Sequence, residues 1–190
     1  MNKKFVTLLA LLALMLTVEA GAESFTELYK KAKAGDVVAQ FDLGFSYYKK
    51  QDFKNAVKWW KKAADQGDES AQFNLGLAYY KGDGVEKDYI ESAKWFRKAA
   101  EQDHANSQYN LGTMYDEGEG VKKDPSEAFK WYYKAAMNGH ATAMYNLAVA
   151  YRDGDGVKQD YDEALKWYRK AALNGNADAQ EVLEQIGEKW

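Results

Sequence analysis

The chain has 190 residues, 46% of them hydrophobic and 29% charged, with one proline and a formal net charge of −3. That apolar content supports a folded core and excludes a chain disordered throughout, and the mild acidity excludes a global basic footprint for nucleic acid. Cysteine is absent, which excludes disulfides, a thiolate nucleophile, cysteine-ligated zinc and a lipid-anchored N-terminal cysteine.

Residues 1–22 read as an export signal. Lys3 and Lys4 supply the positive start, residues 5–18 a leucine-rich apolar run, and Ala20-Gly21-Ala22 the small residues of a cleavage site, so cleavage is expected before Glu23. The apolar run is shorter than the roughly 20 residues a spanning helix needs, so no membrane span is expected after cleavage. The Asn2-Lys3-Lys4 start looks bacterial and places the mature chain in the periplasm or outside the cell. In that oxidising compartment a cysteine-free chain is held by packing alone. Residues 23–38 read as an N-terminal capping helix, because Leu28, Ala32 and Gly35 fall where Trp60, Ala64 and Gly67 fall one copy later.

Residues 39–178 are a tandem array. The stretch 71–106 recurs at 107–142 and 143–178 with a spacing of 36 residues, and a shortened copy, 39–70, starts 32 residues upstream. Self-similarity at this period predicts a solenoid, in which each unit buries its apolar face only by stacking on its neighbours. Two helices are legible per unit. In the first, Ala71, Leu75 and Tyr79 recur at i, i+4 and i+8. Gly76 lies beside them and costs about 1 kcal/mol of helix propensity. Gly44, Gly76 and Gly112 therefore predict the close approach of another backbone, and Ala148 predicts wider packing in the last copy.

The helices are joined by Gly82-Asp83-Gly84-Val85 and its two later copies. In the first unit this linker is deleted and Lys50-Gln51 joins the helices, predicting a shorter hairpin. Each second helix opens at an aspartate, Asp88, Asp124 or Asp160, followed three residues later by Glu91, Glu127 or Glu163, which is capping-box spacing. Pro125 takes the first helical position, where its missing N–H costs nothing. Ser92, Trp95, Phe96, Ala99 and Ala100 cover a wide apolar arc, as suits a helix wedged between two others. Gly67, Gly139 and Gly175 end this helix in the left-handed conformation; Asp103 replaces them in the second copy and predicts a looser end. Residues 179–190 open a fifth copy with Ala179-Gln180, but Glu181 replaces the aromatic and Glu184 the glycine, as expected of a C-terminal capping helix with a polar outer face.

The run Ala71-Gln72, Leu75-Gly76, Tyr79, Gly82, Gly84-Val85, Asp88, Ser92, Trp95, Ala99-Ala100, repeated with small changes, resembles the Sel1-like repeat family, relatives of the tetratricopeptide solenoids. The resemblance covers residues 39–190. It implies an all-α, α/α solenoid, a right-handed superhelix of about four antiparallel helix pairs that binds other proteins. Bacterial members look like exported adaptors in envelope assembly, polysaccharide export, signalling or host contact. Some members are cysteine-rich and are linked to β-lactam binding, a comparison that the lack of cysteine here weakens.

Motifs that could carry chemistry are better read as parts of the frame. Gly82-x-Gly84 follows a helix and has copies at the repeat spacing, whereas a phosphate loop follows a strand and opens a helix. Asp153-Gly154-Asp155-Gly156 has Val157 at the next calcium-ligand step. Ser46-Tyr47-Tyr48-Lys49 matches Ser-x-x-Lys, but Ala78 takes the serine's place in the next copy, and no partner motif appears. His104 and His140, 36 residues apart and the only histidines, share one corner of adjacent units without a supporting carboxylate and make a weak metal pair. No catalytic, cofactor-binding or metal-ligating residue is assigned, and no cofactor is expected.

What remains is a surface. Positions on the first helices that point away from the Leu75 face predict a partner-binding groove of Asp42, Phe45, Asn74, Leu77, Tyr80, Asn110, Thr113, Asn146, Val149 and Arg152, because aromatic anchors with amide hydrogen-bonders suit peptide recognition. Phe41, Phe73, Tyr109 and Tyr145 are expected to pack rather than bind. The function read from this is a non-catalytic scaffold for another protein or peptide, and a monomer is expected. A β-lactam-binding or hydrolysing enzyme and a cell-wall glycan binder are the alternatives.

Overall fold

A computed structural model describes residues 24–190; the export signal over residues 1–22 and its cleavage point before Glu23 lie outside the described residues. Among the described residues there are ten α-helices and no strand: α1 (Phe25–Lys33), α2 (Val37–Lys49), α3 (Phe53–Asp65), α4 (Glu69–Lys81), α5 (Tyr89–Ala100), α6 (Ala105–Glu117), α7 (Pro125–Met137), α8 (Ala141–Asp153), α9 (Tyr161–Leu173) and α10 (Ala177–Gln185). Each packs chiefly on the next in the chain, most extensively within the pairs α2/α3, α4/α5, α6/α7 and α8/α9. The result is an all-α solenoid of four helix pairs, flanked by α1 and α10.

One leucine per unit forms the spine. Leu43, Leu75, Leu111, Leu147 and Leu183 are all fully buried, each worth about 1.5–3 kcal/mol of hydrophobic stabilisation. The last of these belongs to α10, so the fifth copy continues the core before the helix ends at Gln185. Ala63, Ala64, Ala99, Ala100, Ala135, Ala136, Ala171 and Ala172 are buried on the second helices and let the stack close tightly. Trp59, Trp95, Trp131 and Trp167 are buried as well. A lysine one turn on lies over each indole, Lys62 at 4.4 Å, Lys98 at 4.0 Å, Lys134 at 4.2 Å and Lys170 at 4.0 Å from the ring centre. The aliphatic stem thus covers the ring while the ammonium stays in water.

The first-helix glycines are tight, but against a ring rather than a backbone. A Cβ on Gly76 would sit 2.5 Å from the Phe96 ring, and one on Gly112 2.7 Å from the Tyr132 ring. The close backbone approach is made instead by the second linker glycine. A Cβ on Gly84 would collide with the backbone of Phe53, one on Gly120 with Tyr89 and one on Gly156 with Pro125. Each linker therefore lies on the first turn of the preceding unit's second helix. The first unit, which lacks the linker, turns through Gln51 at a φ of 61°, and Phe25 of α1 packs edge-on to Tyr47 with ring centres 5.7 Å apart.

Two further expectations change. The capping aspartates do accept from the helix start, Asp88 from the N–H groups of Ile90 and Glu91 and Asp124 from that of Glu127. The reciprocal half of the capping box is not made. The N–H of Asp88, Asp124 and Asp160 already donates to the carbonyl of Tyr79, Tyr115 and Tyr151, so Glu91 and Glu127 instead pair with Lys94 and Lys130. The helix end at Asp103 is held rather than loose: Asp103 adopts a φ of 64°, and its carboxylate accepts from Gln108 Nε2 at 3.2 Å.

Candidate partner-binding surface

Among the described residues, clefts open beside the first helices between units, and two of them are built alike. The first, about 110 Å³, lies between the first and second units and is lined by Phe45, Tyr48, Phe53, Trp60, Asn74, Leu77, Ala78, Lys81 and Asp83. The second, about 130 Å³, lies between the third and fourth and is lined by Asp116, Pro125, Ala128, Phe129, Tyr132, Asn146, Val149, Ala150 and Asp155. The two are built from matching positions, since Asn74 and Asn146, Leu77 and Val149, and Ala78 and Ala150 are each 72 residues apart, two repeat lengths.

Of the predicted residues, Phe45, Asn74 and Leu77 meet in the first cleft and Asn146 and Val149 in the second. Phe45 is 43% exposed and carries Lys49 Nζ over its ring. Asp42 lies exposed on α2, outside both clefts. The others lie outside both clefts and bond within the chain. Tyr80 donates to Glu119 of the next linker at 2.8 Å, and this bond pushes its hydroxyl up to about 12. Asn110 Nδ2 donates to the Asn106 carbonyl at 2.7 Å. Thr113 donates to the Tyr109 carbonyl at 3.3 Å and accepts from Tyr132 at 3.4 Å. Arg152 is held in a two-point pair by Asp153, at 2.7 Å on each side, and reaches the Tyr168 hydroxyl; this raises its pKa further, the Asp153 bond being the main cause.

The aromatic column packs, as expected. Phe73 lies 4.8 Å from the His104 ring, Tyr109 stacks 4.4 Å from His140, and Tyr145 lies 5.7 Å from Tyr168. The histidines have a task the sequence did not disclose: each is the N-cap of its helix. His104 Nδ1 accepts from the Ser107 N–H and His140 Nδ1 from the Ala143 N–H, both at 3.2 Å. Burial lowers the pKa of both. Among the described residues, no group of three or more His, Asp and Glu is placed to hold a metal ion.

Sequence reasoning also missed residues that build the clefts. Phe53 and Trp60, with Phe129 and Tyr132, come from second helices, and Asp83 and Asp155 from linkers. Reading positions 53, 89, 125 and 161 as one column would have found part of this. A second missed device is a glutamine relay. Gln40, Gln72 and Gln108 are buried. Their Nε2 atoms donate to the carbonyls of Ala32, Ala64 and Ala100 at 3.1, 3.2 and 3.0 Å. Their Oε1 atoms accept from Gln66, Gln102 and Asn138 of the same unit's second helix end.

The chain belongs to the Sel1 repeat family: the family's model matches residues 37–68, 69–104, 105–140 and 141–176, each match opening at or beside the start of a first helix. Sel1 repeat proteins are generally non-catalytic scaffolds for protein interaction. The structure is similar to that of c5321, a protective antigen present in uropathogenic Escherichia coli strains, with a TM-score of 0.83 and 37% identity over 88% of this chain and 37% of that one. It is similar also to a Sel1 repeat protein from Oxalobacter formigenes, with a TM-score of 0.76 and 38% identity over 85% of this chain and 66% of that one. Helicobacter pylori cysteine rich protein B is further off, with a TM-score of 0.57 and 26% identity over 70% of this chain and 95% of that one. The chain thus spans 37% and 66% of the length of the first two. No curated protein sequence matches it.

Proposed function

We propose that the chain is an exported, non-catalytic adaptor of the bacterial envelope or secreted fraction that binds a partner protein or peptide along its first-helix surface. The observation that carries this reading is the pair of matching clefts, each with an asparagine and an apolar residue on the first-helix side. A rigid stacked surface can bind without losing much ordering entropy, and an asparagine amide can both donate to and accept from a peptide backbone. The family's general role as an interaction scaffold supports the reading, as does the leader-like start of the sequence.

The test is capture from an envelope extract with the wild-type chain and with Asn74→Ala plus Asn146→Ala. The wild type should retain a partner that the double variant loses; an unchanged set of captured proteins would overturn the groove assignment. Mature protein recovered from the periplasm or medium should begin at Glu23. The same reading expects a fluorescent penicillin to give no labelling that depends on Ser46, compared with Ser46→Ala.

A further inference from the structure

The two clefts occupy matching places but differ in chemistry. In the first, Phe45, Tyr48, Phe53 and Leu77 form an apolar wall, and one cation, Lys81, and one anion, the linker's Asp83, stand at its edge. In the second, Asp155 matches Asp83, but Asp116 takes the place of the aromatic Tyr48 and Pro125 that of Phe53, so two carboxylates line it and no cation does. Among the described residues neither Asp116 nor Asp155 makes an ion pair. The nearby cation on α8, Arg152, is already committed to Asp153. Between the clefts the corresponding place is filled: Tyr80 donates to Glu119 and lies 5.1 Å from the Tyr89 ring.

Resting on the adaptor reading above, we infer that the partner is an extended peptide segment that places an apolar side chain in the first cleft and a lysine or arginine beside Asp116 and Asp155 in the second. The order follows from charge. In the first cleft Lys81 balances the charge of Asp83 and leaves a cation no net attraction, whereas the two carboxylates of the second offer an uncharged side chain no compensation for their own desolvation. A neutral glycan would fit the aromatic wall but would not use the acidic pair.

Selection of a displayed library of random dodecapeptides on the purified mature chain tests this. Enriched peptides should share an apolar residue and a lysine or arginine at one constant separation. For a selected peptide, Asp116→Asn plus Asp155→Asn should weaken binding about tenfold and flatten its salt dependence, as two partly exposed ion pairs predict. Phe45→Ala, at an exposed position that folding tolerates, should weaken binding without changing the salt dependence. Enrichment of peptides without the basic residue, or affinity indifferent to the aspartate pair, overturns the two-anchor partner while leaving the adaptor reading intact. Failure to enrich any peptide overturns the two-anchor partner; if the asparagine variant also leaves the captured proteins unchanged, the adaptor reading falls with it. Sedimentation with cell-wall sacculi that the aspartate variant leaves unchanged would identify a glycan surface instead, and would likewise overturn the two-anchor partner.

Discussion

His104 and His140 show how a single side chain ties helix ends to pH. Each offers Nδ1 to a backbone N–H at the start of its helix, and protonation removes that acceptor while adding positive charge at the positive end of the helix dipole. Burial lowers the pKa of both, with Glu69 opposing weakly at His104; the rings they face are Phe73 and Tyr109. Because the folded pKa lies below the unfolded value of about 6.5, the stability is fully present above that pH and is lost as pH falls through the folded pKa. Thermal melts from pH 7.5 to 5.5 should therefore show a declining Tm. Aspartate already caps α2 and α4 at the same place, so His104→Asp plus His140→Asp should remove most of the decline; an equal decline in the variant would exclude the histidines as its cause. Gly76 poses a separate residue-scale question. Alanine gains about 1 kcal/mol of helix propensity, but its Cβ would lie 2.5 Å from the Phe96 ring, and overpacking costs about 1–3 kcal/mol. Gly76→Ala should lower the Tm, although Ala148 is accommodated at the matching place in the fourth unit.

At the scale of elements, the glutamine relay joins each first helix to the end of the helix before it and to the end of its own partner. The fourth unit breaks the relay, because Met144 stands there, buried, and Asn174 turns its amide to its own helix at Lys170. Met144→Gln should restore both bonds, to the Ala136 carbonyl and from Asn174. It is expected to raise the denaturant midpoint by the equivalent of about 1 kcal/mol, and Gln108→Met should lower it by about 1–3 kcal/mol; a midpoint that does not rise in Met144→Gln would mean that thioether packing outweighs the bonds. The helices themselves were legible in the sequence because their signals are local: the Ala71, Leu75, Tyr79 spacing and the Asp88 and Asp124 caps. The relay was not, since a buried glutamine looks like any polar residue until its neighbours are placed. The same limit applies to the site. The asparagine and apolar column of the first helices was readable as Asn74 and Asn146, whereas Tyr80, Thr113 and Arg152 looked equally available until Glu119, Tyr109 and Asp153 were seen to engage them. Phe53 and Asp155 come from other elements, and no periodicity along one helix could have placed them.

For the whole molecule, stability in a stacked array is a sum of unit and neighbour terms, so the ends decide how far unfolding spreads. Helix α10 supplies the last such interface. Ala179 and Leu183 are fully buried against the fourth unit, Gln180 donates to the Ala172 carbonyl at 3.0 Å, and Arg169 pairs with Glu188 at 2.5 Å. Ending the chain at Asn176 would expose Ala171 and Ala172 and leave that carbonyl without its glutamine. Loss of a neighbour interface should act where it is made. Hydrogen exchange of the truncated chain is therefore expected to show the amides of α8 and α9 opening at much lower free energy, while those of α2 to α5 keep their protection. Leu183→Asp, which keeps the helix but charges its buried face, should give the same graded pattern in milder form. If both variants instead lose protection evenly from α2 to α9, the array unfolds as one cooperative unit, and the matching clefts at its two ends would be coupled through the whole stack rather than held by their own pairs of repeats.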